Sequence, residues 1–120
     1  MPQANLTLDV RKQSNGVGII DIHGEMTGYA EDALMAAYNE ASSGKAQAII
    51  LNFSDLEYMN SSGIGLLVTL LIRVQRQKQQ LLAYGLNDHY QQIFALTRLN
   101  EAIGIYPDET AALAAARVAV

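Results

Sequence analysis

The sequence predicts an α/β domain: an N-terminal β-hairpin, then alternating helices and strands building a mainly parallel mixed sheet of about five strands with four helices. Three observations carry this. "NLTLDVR" alternates apolar and polar residues from Leu6 to Val10, the period of a half-buried strand. "AQAIILNF" is short, aliphatic and rich in β-formers, as a strand buried on both faces of a parallel sheet should be. Segments with apolar residues at helical spacing alternate with such runs, an order that calls for right-handed crossovers.

The elements follow in order. "SNG" at Ser14 to Gly16 supplies a turn, and "VGIIDIHG" reads as the second strand of an antiparallel hairpin. Ala30 to Ala41 places Leu34, Ala37, Tyr38 and Ala41 on one helical face, and "SSGK" at Ser42 to Lys45 ends the helix. After "AQAIILNF" comes "LEYMNSSGIGLLVTLLI", Leu56 to Ile72, a loop opening a helix that runs to about Gln77. "QLLAYGL" is a strand. "NDHYQQIFALTRL" is a helix with Asn87 as N-cap and Tyr90, Ile93, Phe94 and Thr97 along one face. "IGIY" is a short last strand. Pro107 and Asp108 start an alanine-rich helix that runs to the C-terminus, with Leu113, Ala116 and Val120 on one side.

A chain of 120 residues suits one domain, spanning 1–120. Half its residues are hydrophobic and 17% are charged, which supplies a core and excludes a disordered segment. The net charge is −4 and the eight Lys and Arg are scattered, with three of them in "RVQRQK", Arg73 to Lys78. That is a solvated helix end, too thin for phosphate neutralisation, so no nucleic-acid partner is expected. The absence of cysteine excludes disulfides, thiolate metal sites and a cysteine nucleophile. "MPQANLTLDV" shows no secretory signal. The longest apolar run, Ile64 to Ile72, falls well short of the roughly 20 residues of a membrane span. A soluble, cytoplasmic domain is expected.

Enzyme constellations are missing. His23 and His89 have no partner histidine at a metal-ligand spacing, so each reads as a surface or strand-end residue. "SSGK" lacks the first glycine of a phosphate loop and has Ala46 after the lysine. "NSSGIG" has Met59 and Asn60 where the nucleophile elbow needs its leading glycine. A serine nucleophile also needs a base, and no histidine lies nearby in sequence. A binding protein is expected, with no catalytic residue, no metal and no cofactor.

The serine pair therefore asks for another explanation. Asn60 and Ser61 stand where the chain enters a helix, the position of capping residues. With two serines present, one hydroxyl can cap and the other stays free. Gly63 and Gly65 cost about 1 kcal/mol each in a helix interior relative to Ala, which makes sense if another surface approaches the backbone. At 100° per residue, Ile64, Leu67, Val68 and Leu71 form the core stripe, leaving Leu66 and Leu70 beside Thr69 and Arg73 as an exposed apolar contact patch.

With these residues in view, the sequence resembles the STAS family (sulfate transporter and anti-sigma-factor antagonist), in particular its free-standing bacterial antagonists. The likeness rests on the hairpin with "IHGEM", the strand "AIILNFSDLEYM", the "NSSGIGLL" turn and the late "LTRLNEAIGIY". The family pattern D-S-[ST]-G-x-G matches Ser61, Ser62, Gly63 and Gly65, and the resemblance makes Ser61 the phosphoacceptor. It implies the STAS fold and partner switching. The unmodified antagonist binds an anti-sigma factor that is also a serine kinase with an ATP-binding kinase fold. This frees a sigma factor; phosphorylation then releases the antagonist, and a phosphatase resets it. The implied partner surface comprises Met26, Thr27, Asn60, Ser61, Ser62, Gly63, Ile64, Gly65 and Leu66, on a monomer or weak dimer. Two positions depart from the family. Asn60 replaces the usual Asp, keeping the cap without its charge. Thr27 in "GEMT" replaces an aspartate associated with the partner surface.

Two other readings are open. A STAS module can serve as a constitutive subunit of a signalling assembly or a lipid-transport ATPase, with binding indifferent to Ser61. More distantly, the fold can offer a small-ligand pocket at its strand ends.

Overall fold

The fold was obtained as a computed structural model that describes residues 5–13 and 15–117. Five strands lie in one sheet in sequence order: β1 (Leu6–Gln13), β2 (Val17–Met26), β3 (Ala48–Met59), β4 (Gln80–Tyr84) and β5 (Gly104–Tyr106). β1 and β2 form the expected antiparallel hairpin, and β2 through β5 pair in parallel. The helices are α1 (Glu31–Ser42), α2 (Ser61–Arg76), α3 (Asp88–Leu96) and α4 (Glu109–Arg117). Single 3₁₀ turns precede α1 at Gly28–Ala30 and β5 at Leu99–Glu101. Ser14 of the expected turn, and Val120 with the end of the last helix, lie outside the described residues.

Strand alternation sends side chains to two faces, and each face has its own core. Ile20, Ile22, Ile49, Leu51 and Phe53 pack with Leu34 and Tyr38 of α1, Leu67 and Leu70 of α2, and Phe94 of α3. On the other face Val17, Ile19, Ile50, Leu82 and Tyr84 meet Ala112 and Ala116 of α4. The small alanine side chains let α4 lie close to the sheet. The face expected of α1, Leu34, Ala37, Tyr38 and Ala41, is buried throughout. In α3, Tyr90 and Phe94 are buried and Ile93 partly so, but Thr97 is exposed. Its hydroxyl donates to the Ile93 carbonyl in the last turn. Asn87 caps α3, accepting the Tyr90 N–H at 2.9 Å, and Asp108 accepts the Ala111 N–H at the start of α4.

β3 is longer than its aliphatic run. The pairing with β4 stops at Asn52↔Tyr84, whereas pairing with β2 continues to Met26↔Met59 through two register irregularities. The added stretch from Ser54 to Tyr58 carries charged and exposed residues, so its composition reads as a loop. It is an overhang paired along one edge, and it delivers the chain to the start of α2.

Candidate functional site

The start of α2 is fixed by backbone chemistry. The Met59 N–H donates to the Tyr90 hydroxyl at 2.8 Å, and the Asn60 N–H donates to the Met26 carbonyl at 3.3 Å. Asn60, in extended conformation, accepts the Gly63 N–H on its side-chain oxygen at 2.9 Å. Gly63 must be glycine, because a Cβ there would stand 2.2 Å from the Met26 carbonyl oxygen. The first turn of α2 therefore rests directly on the end of β2.

Since Asn60 is the cap, neither serine is needed for that task. Ser61 and Ser62 are exposed, and among the described residues neither hydroxyl has a hydrogen-bond partner. The N–H groups of Ser61 and Ser62 also lack an acceptor among the described residues, as the first donors of a helix do. Thr27 caps the neighbouring 3₁₀ turn, its hydroxyl accepting the Tyr29 N–H. That turn lies against the site: a Cβ on Gly28 would be 3.4 Å from the Ser62 Cβ. Tyr29, next in sequence, is 66% exposed.

The structure corrects the phase expected for α2. Leu66 and Leu70 are core residues, buried with Gly63, Leu67 and Val74, so they form no contact patch. Val68 and Ile72 are the exposed ones, at 41% and 45%, while Ile64 and Leu71 are half-buried. Seven of the nine residues from Ile64 to Ile72 are aliphatic, so hydrophobicity alone hardly phases the helix. The polar positions Ser62, Thr69, Arg73 and Arg76 recur at helical spacing and mark the solvent side; they are the better signal.

Of the residues proposed for a partner surface, Met26, Gly63 and Leu66 are buried and build the platform beneath it. Thr27, Asn60, Ser61, Ser62, Ile64 and Gly65 reach the surface to varying degrees. Ser61, Gly65, Val68 and Ile72 share one side of α2, forming an uncharged stripe headed by a hydroxyl. The two glycines thus differ. Gly63 is required within the chain, whereas a Cβ on Gly65 would meet nothing within 4 Å. The sequence pattern puts Val68 in the core stripe and does not place Ile72 or Tyr29 on this surface.

Around this stripe the charge is one-sided. Glu25, Glu31, Asp32, Asp55, Glu57 and Asp88 lie on the strand and helix ends that face the same way as Ser61. The segments 25–32, 55–62 and 87–90 contain no Lys or Arg, and Arg73, Arg76 and Lys78 sit at the opposite end of α2.

A second polar concentration is closed on itself. Arg11 pairs with Asp21 at 2.7 Å and Glu109 at 2.6 Å, Asn52 donates to Asp21 at 2.7 Å, and the Tyr84 hydroxyl donates to Glu109 at 2.7 Å. Hydrogen bonds from Arg11 hold both carboxyls below their usual range and raise the guanidinium in turn. Burial, then the bond to Glu109, pushes the Tyr84 phenol up to about 12. This group fastens α4 to the sheet. His23 sits between Asp9 and Asp55, at 3.3 and 3.1 Å, and His89 stands edge-on to Tyr90. Among the described residues, no group of three or more His, Asp or Glu side chains is arranged to hold a metal ion, and no helix is long and apolar enough to cross a membrane.

The STAS domain model matches residues 10–112. The chain belongs to the STAS domain family. An anti-sigma-B factor antagonist of Listeria monocytogenes is 21% identical over 101 residues, covering 84% of this chain and 89% of its own. An anti-sigma factor antagonist from Mycobacterium paratuberculosis superposes with a TM-score of 0.80 at 21% identity, over 95% of this chain and 96% of the other. The Bacillus cell fate determinant SpoIIAA in its phosphorylated form gives 0.67 at 21% identity, over 88% and 96% of the two chains. These solved structures share the fold.

Proposed function

We propose that this STAS domain is an anti-sigma factor antagonist that works by partner switching, with Ser61 as the phosphorylated residue. In the unmodified state it binds an anti-sigma factor that is also a serine kinase and so frees a sigma factor. Phosphorylation of Ser61 releases the complex, and a phosphatase restores the hydroxyl. The observation that carries this reading is the division of labour at the start of α2. Asn60 takes the cap, leaving the Ser61 hydroxyl exposed at the head of the Gly65, Val68 and Ile72 stripe.

The physical chemistry supports the switch. A phosphate adds about −1.5 to −2 charges at neutral pH. The positive end of the α2 dipole and the free N–H groups of Ser61 and Ser62 favour an anion, so the modified domain stays folded. The segments around Ser61 hold no arginine or lysine that could draw the phosphate into a new intramolecular pairing. The charge stays on the surface, where it disrupts a partner seated on the apolar stripe and is open to a phosphatase.

The test is affinity purification of wild type and Ser61→Asp from the native cell, with mass spectrometry of partners and of Ser61. The expected result is phosphate on Ser61 and a kinase-fold partner recovered with wild type alone. Identical partners for both forms, with Ser61 unmodified under every growth condition, would favour a constitutive assembly subunit instead.

A further inference from the structure

We infer that Tyr90, in the first turn of α3, is the residue that positions Ser61, an inference resting on the reading of Ser61 as the modified residue. Beyond Asn52, β3 has lost β4 as a neighbour, and its overhang is paired only with β2. The last two backbone donors before Ser61 are then held from opposite sides. Met59 gives its N–H to the buried Tyr90 hydroxyl, and Asn60 gives its N–H to the end of β2. A buried N–H is costly to leave unpaired, so the hydroxyl fixes where the strand ends and the helix begins.

Tyr90 is held in place for this role. Asn87 accepts its N–H, and Gln91 ties the same turn back to the Leu86 carbonyl at 2.9 Å. Gly85 has φ of +84°, and a Cβ there would stand 2.4 Å from the Ser54 hydroxyl, so the β4–α3 corner presses on the overhang. One turn along, Phe94 meets Phe53 edge to face, with ring centroids 6.2 Å apart. α3 and the corner leading into it are thus registered on β3 at three points, and the one nearest Ser61 is a single hydrogen bond. The Tyr90 hydroxyl, rather than the packing of α3 as a whole, holds the start of α2 where Ser61 is presented.

The experiment compares wild type, Tyr90→Phe and Phe94→Leu in the full chain. The first variant removes only the acceptor. The second loosens the same helix and leaves the Met59 N–H paired, so it serves as the control for general destabilisation. Amide exchange at Met59, Asn60 and Gly63, whose N–H groups are hydrogen-bonded, should rise about tenfold in Tyr90→Phe, the factor corresponding to one ordinary buried hydrogen bond, and far less in Phe94→Leu. Phosphorylation of Ser61 in native-cell extract with ATP should slow by about tenfold in Tyr90→Phe and remain near wild type in Phe94→Leu. Exchange that rises evenly over the molecule, or equally in both variants, overturns the inference. Absence of phosphate on the wild type would count against the switch itself, while the exchange data would still decide whether Tyr90 holds the start of α2.

Discussion

Two polar regions of the molecule are built on opposite principles. Under α4, Arg11, Asp21, Asn52, Tyr84 and Glu109 bond to one another and leave little to offer a ligand. At the start of α2 there is no charged side chain, yet two hydroxyls and two backbone N–H groups lack partners among the described residues. The denser cluster of titratable groups is the structural one. Under the proposed switch, unspent hydrogen-bonding capacity at an exposed helix start is a better pointer to the site than charge is.

The comparison breaks most sharply at the two glycines of α2. Gly63→Val should cost about 3 kcal/mol in urea or thermal unfolding, because the new side chain collides with the Met26 carbonyl. Gly65 faces open space, and its replacement belongs with the small effects below.

Next in size is the cluster under α4. Arg11→Met should cost about 1 to 2 kcal/mol, the value of charge-assisted hydrogen bonds reduced for partial exposure. Asp21 and Glu109 titrate below their unfolded values. Their stabilisation is therefore full above the ordinary carboxylate range, near pH 4, and is lost as pH falls through their folded values. Wild type should lose stability in that acid window, and Arg11→Met should lose less. Tyr84 acts in the opposite sense: its contribution is full below the ordinary phenol value of ~10 and fades as pH rises through about 12. Unfolding midpoints measured across both windows check the two signs.

Asn60→Ala should cost about 1 kcal/mol by loss of the cap, whereas Asn60→Asp should keep stability near wild type. Smallest are the changes at the stripe. Gly65→Ala should stabilise the helix by up to about 1 kcal/mol while weakening partner recovery. Ser61→Ala should move stability by less than about 0.5 kcal/mol and abolish phosphorylation. A large stability loss in Ser61→Ala would show a hidden structural role for that hydroxyl and collapse the contrast.

Much of the fold was legible because hydrophobic period and turn chemistry agree. The hairpin, the α1 face and the Asn87 cap all come from local patterns that tertiary packing did not override. Two features were not legible. The overhang of β3 is polar and one-edged, so no alternation or aliphatic run announces it. The phase of α2 is hidden by its nearly uniform apolar run and is set by Gly63 resting on β2, a contact between residues distant in sequence. As a result the sequence locates the helix start but points to Leu66 and Leu70, which are core residues, as its exposed apolar neighbours. The exposed aliphatic residues of the helix are Val68 and Ile72.

The exposure of Val68 beside Ser61 can be probed in the native cell. Tagged wild type, Ser61→Asp, Val68→Glu and Leu96→Glu chains can be recovered from the native cell and their partners quantified. Leu96 is the control, a leucine 84% exposed on α3, where a charge should be tolerated. The partner lost from Ser61→Asp should also be lost from Val68→Glu and retained by Leu96→Glu. Retention by a folded Val68→Glu chain would contradict the proposed seating of the partner on the stripe.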